Sequence, residues 1–263
     1  MIEDNSSKQV NSEKGHKLKK IIWPIHKEQY EEINFSSITG LKEIEAKQKS
    51  IDEINNFLID ILQFAQTVLS TPGPNTLHIS AELDIDVVAT FSIDDEGIPQ
   101  IDLSKIYYDS IINHISLILS KKYSPDKIVS FGENEEIKEI FKIGVGLVVS
   151  QVVSSLGHEM YHLRQAHQDY ESYQETVQEN WPHRFWRERA KATNNAELKN
   201  HGMDVYKNSL GERSANGFAL RFVLEYKKKI LAKNDKDRSL IEKLFLSGVD
   251  KAIEIFKKDF IKN

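Results

Sequence analysis

No charged side chain occurs between Ile143 and Gly157, and that run leads straight into His158-Glu159-Met160-Tyr161-His162. It is shorter than the roughly 20 apolar residues of a membrane-spanning helix. It therefore predicts a core helix, buried on nearly every face. With its flanks the predicted helix runs from Glu135 to about Ala166. Polar side chains at its C-terminal end would then stand where a core helix opens onto a cleft.

Those side chains have a specific spacing. Two histidines four positions apart fall on one face of a helix, a turn apart. Their ring nitrogens can reach one metal ion, while Glu159 is turned about 100° away and is free to act on water. His-Glu-x-x-His on a helix is the pattern of a zinc site with a built-in general base. The plain alternative is a solvated helix face that happens to carry two histidines. A catalytic zinc takes three protein ligands, so a third is needed. A third histidine in the extended motif is excluded, because Gln165 and Gln168 stand at the positions where Gly and His would be, and His167 points to another face.

Gly211-Glu212-Arg213-Ser214-Ala215-Asn216-Gly217-Phe218-Ala219 offers the better candidate. Glu212 would bring a carboxylate from a second helix. Ala215, one turn on, has no bulk to hold the helices apart, and Phe218 and Ala219 would pack inward. Asn216 shares the face of Glu212 and could hold a ligand histidine by its free ring N–H. The alternative for Glu212 is an exposed glutamate stabilised by a helix N-terminus. His114, His167, His183 and His201 are read as non-ligands.

His-Glu-x-x-His followed by Glu-x-x-Ala-Asn-x-Phe-Ala resembles the gluzincin zinc peptidases, and is most similar to small cytoplasmic members such as the ImmA/IrrE-like and Lit-like peptidases. The resemblance covers both motif helices and extends over roughly residues 76–226. It implies a zincin-like α+β domain, a Zn2+ cofactor, His158, His162 and Glu212 as ligands, Glu159 as catalytic base and Asn216 behind the ligands. It also implies a protein or peptide substrate.

Elsewhere the pattern is mostly helical, with one small β region. Residues 1–20 read as a disordered tail. Residues 21–73 read as a helical segment in which Ile21-Ile22-Trp23 is a candidate contact with the body and Pro24 limits any helix there, while Ile51, Ile54, Leu58, Ile61, Leu62, Ala65 and Val68 form a stripe at helical spacing. Residues 74–230 would be the metallopeptidase domain and 231–263 a C-terminal helix packed on it. Strands are expected at 76–83, 87–93 and 98–103, packed ahead of the motif helix. Pro99 lacks a ladder donor, which predicts an edge position for the last strand, where an extended peptide could add. Ser104 is a candidate cap for the next helix, carrying Ile106, Tyr107, Ile111, Ile112, Ile115 and Leu119.

Composition sets the remaining limits. A net charge of −5 argues against a general nucleic-acid or anionic-membrane binder. Residues 181–189 interleave arginine with aromatics, as base-stacking surfaces do, but a lid or simple packing suits so short a cluster better. The chain has no cysteine, which excludes disulfides and thiolate zinc sites. Its polar, acidic start is unlike a signal peptide, and a cytoplasmic setting is expected. The functional expectation is hydrolysis of a cytoplasmic protein, with an oxyanion donor among Tyr170, Tyr173, His201, Tyr206 and Tyr226. Two alternatives remain: a non-hydrolytic zinc-fold module that binds a protein partner, and a nucleic-acid-associated protein acting through residues 181–189.

Overall fold

The computed structural model describes residues 41–74, 76–83, 87–94, 97–119, 135–171, 173–174, 189, 192–193, 197, 201 and 209–261. All belong to one unit, Glu32–Asn263. The tail expected at 1–20, the Ile21-Ile22-Trp23 contact and Arg/aromatic positions 181–188 lie outside the described residues. In chain order the elements are α1 (Leu41–Leu69), β1 (Thr76–Ser80), β2 (Ala89–Ile93), β3 (Pro99–Ser104), α2 (Lys105–Leu119), α3 (Glu135–Gln168), α4 (Leu210–Leu231), a 3-10 turn (Asp235–Asp237) and α5 (Leu240–Ile261). The result is a mostly helical α+β fold with one three-stranded sheet.

α3 is the centre of the packing. It touches α1, α2, α4, α5 and β2. By length and composition one stretch of it, Glu139–Gln168, could cross a membrane, but here Val145, Val149, Val152, Val153, Leu156, Met160 and Leu163 are buried against the other elements. The helix is not buried all round, as its apolarity suggested. Gly144 and Gln151 are exposed, and Ile143, Leu147, Val148 and Ser155 are half-buried. These positions recur every three or four residues, so they form one stripe of the helix, and the neighbours named above cover the other faces.

Two glycines let α5 lie directly on α3. A Cβ on Gly146 would stand 2.2 Å from the Leu244 carbonyl oxygen, and one on Gly248 would stand 2.3 Å from the Gly146 carbonyl carbon. The obstacle in both cases is backbone, which cannot turn aside as a side chain can. Ser247 Oγ donates across this crossing to the Lys142 carbonyl, at 2.9 Å.

α4 carries an aromatic ladder. Phe218, Phe222 and Tyr226 recur every four residues and stack at 5.9 and 6.1 Å between centroids. Phe57 and Phe64 of α1 and Phe245 of α5 pack against its lower rungs. Tyr226 is fully buried, and its hydroxyl donates to Asp60 of α1 at 2.8 Å. Without that acceptor the buried O–H would cost about 1–3 kcal/mol. α5 begins with a reciprocal cap: the Ser239 N–H donates to Glu242 Oε2 and the Glu242 N–H to Ser239 Oγ.

The strand order is β1-β3-β2, with β1 parallel and β2 antiparallel to β3. β3 is thus the central strand, and the edge position expected from Pro99 is wrong. Pairing with β1 begins only at Thr76↔Gln100, one residue past the proline. Hydrogen bonds Ser104 N–H to Val88 O and Asp94 N–H to Ile98 O put the even-numbered β2 groups toward β3. In an antiparallel pair the odd-numbered residues then point away, and Pro99 on the neighbouring strand gives up a donor where no partner strand has yet begun. Ser104 does not cap α2 through its side chain: its Oγ is buried with no hydrogen bond. The buried face of α2 is Tyr108, Ile111, Ile112 and Ile115, while Ile106 is exposed. Tyr108 reaches Asn55 of α1 at 2.9 Å and so takes the inward place expected of its neighbours.

The glycine crossing is testable. Gly146→Ala is expected to lower stability by about 3 kcal/mol, at the upper end of overpacking costs, read as a fall in the urea midpoint at unchanged slope.

Candidate metal centre

The site forms where the C-terminal part of α3 meets the first turn of α4. Gly157 permits the approach. A Cβ there would stand 2.5 Å from Cδ1 of Phe222, a ring that is itself fully buried and has nowhere to move. Ala215 is fully buried in the same seam, and Phe218 stacks on Tyr161 at 5.4 Å. Ala215, Phe218 and Ala219 therefore face inward, as the spacing after Glu212 suggested.

His158, His162 and Glu212 come together and all three are buried. The two Nε2 atoms lie 3.0 Å apart. His158 Nε2 is 3.1 Å from Glu212 Oε2, and His162 Nε2 is 3.5 Å from Glu212 Oε1. A four-coordinate ion with bonds of roughly 2.0–2.1 Å needs ligand atoms about 3.3–3.4 Å apart. Two imidazole nitrogens and a carboxylate with these separations can hold a metal ion. Glu212 is a buried member of the group and not the exposed helix-terminal glutamate of the alternative reading.

Glu159 stands beside this group without joining it. One oxygen is 4.0 Å from His158 Nε2. The other, Oε2, accepts the backbone N–H of Phe91 at 2.8 Å. Phe91 lies on β2, which is an edge strand. The outward backbone groups of β2 belong to Ala89, Phe91 and Ile93, by the alternation described above. The side chain that follows the first histidine is thus tied to the open edge of the sheet.

The two carboxylates have opposite electrostatics. Burial pushes the Glu159 carboxyl above its ordinary range, only partly countered by His158, His162 and the Phe91 N–H. Burial also pushes Glu212 upward, but hydrogen bonds and charge from both histidines outweigh it and hold Glu212 well below the usual carboxylate range. For His162 burial works downward. The hydrogen bond to Glu212 and the charges of Glu159 and Glu212 overcome it, and the ring is held above its ordinary value.

Asn216, expected behind the ligands, is half-buried and makes no hydrogen bond to either histidine. The side chain next to His162 is Gln165, whose Oε1 lies 2.9 Å from Nδ1. Helical spacing contained this signal, since position 165 is one turn after 162 on the same face. The Phe91 contact left no such trace, because a backbone N–H is common to every residue but proline.

Among the oxyanion candidates that are described, Tyr173 is near the site. Its ring is 6.4 Å from that of His162 and 5.6 Å from that of Phe91, between centroids. Tyr226 is bound to Asp60 in the core. Tyr170 is half-exposed and its oxygen accepts from Gln174. His201 is exposed, and Tyr206 lies outside the described residues. His114 and His167 lie outside the group formed by His158, His162 and Glu212. No protein-family model, curated protein or solved structure matches this chain.

Metal binding should be visible as stability. A divalent ion supplied at 100 times its dissociation constant is expected to stabilise the chain by about 2.7 kcal/mol. A chelator should reverse the gain. In His158→Ala the melting temperature should no longer respond to metal, as followed by calorimetry.

Proposed function

We propose that the protein is a zinc-dependent metallopeptidase, similar to the gluzincins, that hydrolyses peptide bonds in a cytoplasmic protein substrate. The observation that carries this reading is the junction of α3 and α4, where a three-member ligand group has a separate carboxylate, Glu159, next to it. A structural zinc is closed by four protein ligands, whereas a catalytic one keeps a place for water or substrate. Two imidazoles and one carboxylate are a donor set that suits zinc.

Bound there, zinc supplies Lewis acidity, which polarises a carbonyl and makes water a stronger acid. The protein's own groups do the rest. Glu212, kept ionised by the two histidines, balances the positive charge of the ion. Glu159, whose carboxyl is raised by burial, accepts a proton from the attacking water and returns it to the leaving amine. Two carboxylates with pKa values driven apart by their surroundings suit this division between ligand and proton carrier. An extended peptide adding to the edge of β2 would meet the outward groups of Ala89 and Ile93 and the Phe91 carbonyl, the Phe91 N–H being held by Glu159. The Tyr173 hydroxyl is the candidate donor to the oxyanion.

Glu159→Gln separates hydrolysis from metal binding. It should retain zinc but cut a fluorogenic peptide library at least about 100-fold more slowly than wild type. Equal cleavage by the two proteins, each with one zinc bound, would remove Glu159 as the base. Zinc binding without cleavage by wild type would favour the non-hydrolytic binding module.

A further inference from the structure

We propose that Gln165 is a positioning residue for the metal centre: its side-chain carbonyl accepts the Nδ1–H of His162 and fixes the tautomer that leaves Nε2 free to ligate. The inference rests on the metal-binding part of the proposed function and not on hydrolysis. It starts from the 2.9 Å contact between Gln165 Oε1 and His162 Nδ1. A neutral imidazole carries a single N–H, on one nitrogen or the other. The glutamine amide can meet Nδ1 with its oxygen or with its NH2 group, and the neighbours decide between them.

With the NH2 group toward Nδ1, the ring proton would have to sit on Nε2. That atom faces His158 Nε2 at 3.0 Å and Glu212 Oε1 at 3.5 Å. A proton there would block the ligand atom. With the amide oxygen toward Nδ1, the proton lies between Gln165 and His162, and the Nε2 lone pair points into the group. This second arrangement is the one compatible with a shared ion.

The location of Gln165 suits the task. α3 continues through Gln168, so residue 165 lies on the same rigid helix as the ring it holds. Its backbone carbonyl remains in a helical bond with the Asp169 N–H at 2.9 Å. A neutral amide also differs from a carboxylate at this place. It orients the ring without adding negative charge, so Glu212 remains the anionic member of the ligand group. In a chain whose extended motif lacks a third histidine, the glutamine at that turn has a separate use.

Two substitutions and two readouts test this. Gln165→Leu keeps the bulk of the side chain and removes the acceptor. Gln165→Glu restores an acceptor. Zinc affinity is measured by competition with a chromophoric chelator, and the ring nitrogen of His162 that carries the proton by 15N NMR of the zinc-loaded protein. Gln165→Leu is expected to bind zinc about 10–100-fold more weakly, with the melting temperature of the metal-free form unchanged. Gln165→Glu should bind at least as tightly as wild type. In the wild-type spectrum the proton should be on Nδ1 of His162. Wild-type zinc affinity in Gln165→Leu, or a wild-type ring protonated at Nε2, overturns the proposal, as does equal weakening in both variants. If wild type itself fails to bind zinc, the metallopeptidase reading and the positioning role fall together, whereas zinc binding by wild type with the same affinity in Gln165→Leu removes the positioning role alone.

Discussion

A carboxylate can join two histidines on another helix only if the two backbones come close, and in this protein that closeness depends on Gly157. Any side chain there would meet the buried ring of Phe222. Phe222 is in turn the middle rung of the α4 ladder, gripped by Phe218, Tyr226 and Phe64. The metal group is therefore an outcome of core packing. Glu212 also shows what the arrangement costs. A buried carboxylate is tolerated when it is paired, and removing one partner from such a pair typically costs about 3–5 kcal/mol. His158 and His162 supply the pairing from one side of the seam.

The sheet contributes through its edge. An exposed edge strand is a liability that proteins usually cover or charge. Here β2 lies against α3, and one of its outward donors, the Phe91 N–H, is taken by Glu159. The contact ties the sheet to the helix that bears both histidines. It also leaves Glu159 between two environments, with one oxygen on the sheet edge and the other near the histidines. Tyr173 closes the same corner by resting against both Phe91 and His162. The histidine pair, the separate carboxylate and the Tyr173 ring thus gather where three parts of the chain meet.

Much of the helical structure was legible in residue order because helices are local. Apolar residues at helical spacing mark α1, the uncharged run Ile143–Gly157 marks α3, and Ser70-Thr71-Pro72-Gly73 follows directly on the end of α1. Ser70 itself adopts a positive φ of 50° there. Strand order was not legible, because it depends on pairing between distant segments. Pro99 was informative about a missing donor and silent about which neighbour would have needed it. On α2 the inward face of Ile111, Ile112 and Ile115 was legible, and only its first turn was misread: Tyr108 is buried in place of Ile106, with its hydroxyl on Asn55 of α1. Asn216 failed in the same way. Its position on the helix was right for a contact, but the neighbouring helix supplied Gln165 from within itself.

What residue order determined by itself was a set of side chains and their spacing along each helix. His158 and His162 share a face whatever surrounds them, because the 3.6-residue turn dictates it, and Glu159 is turned away by the same geometry. Only the tertiary structure decided that Glu212 completes the group and that Phe91 holds Glu159. Those contacts cross between elements or depend on how tightly helices pack, and close packing is a property of the whole core. Spacing is inherited from the backbone, whereas convergence requires three separate segments to fill space together.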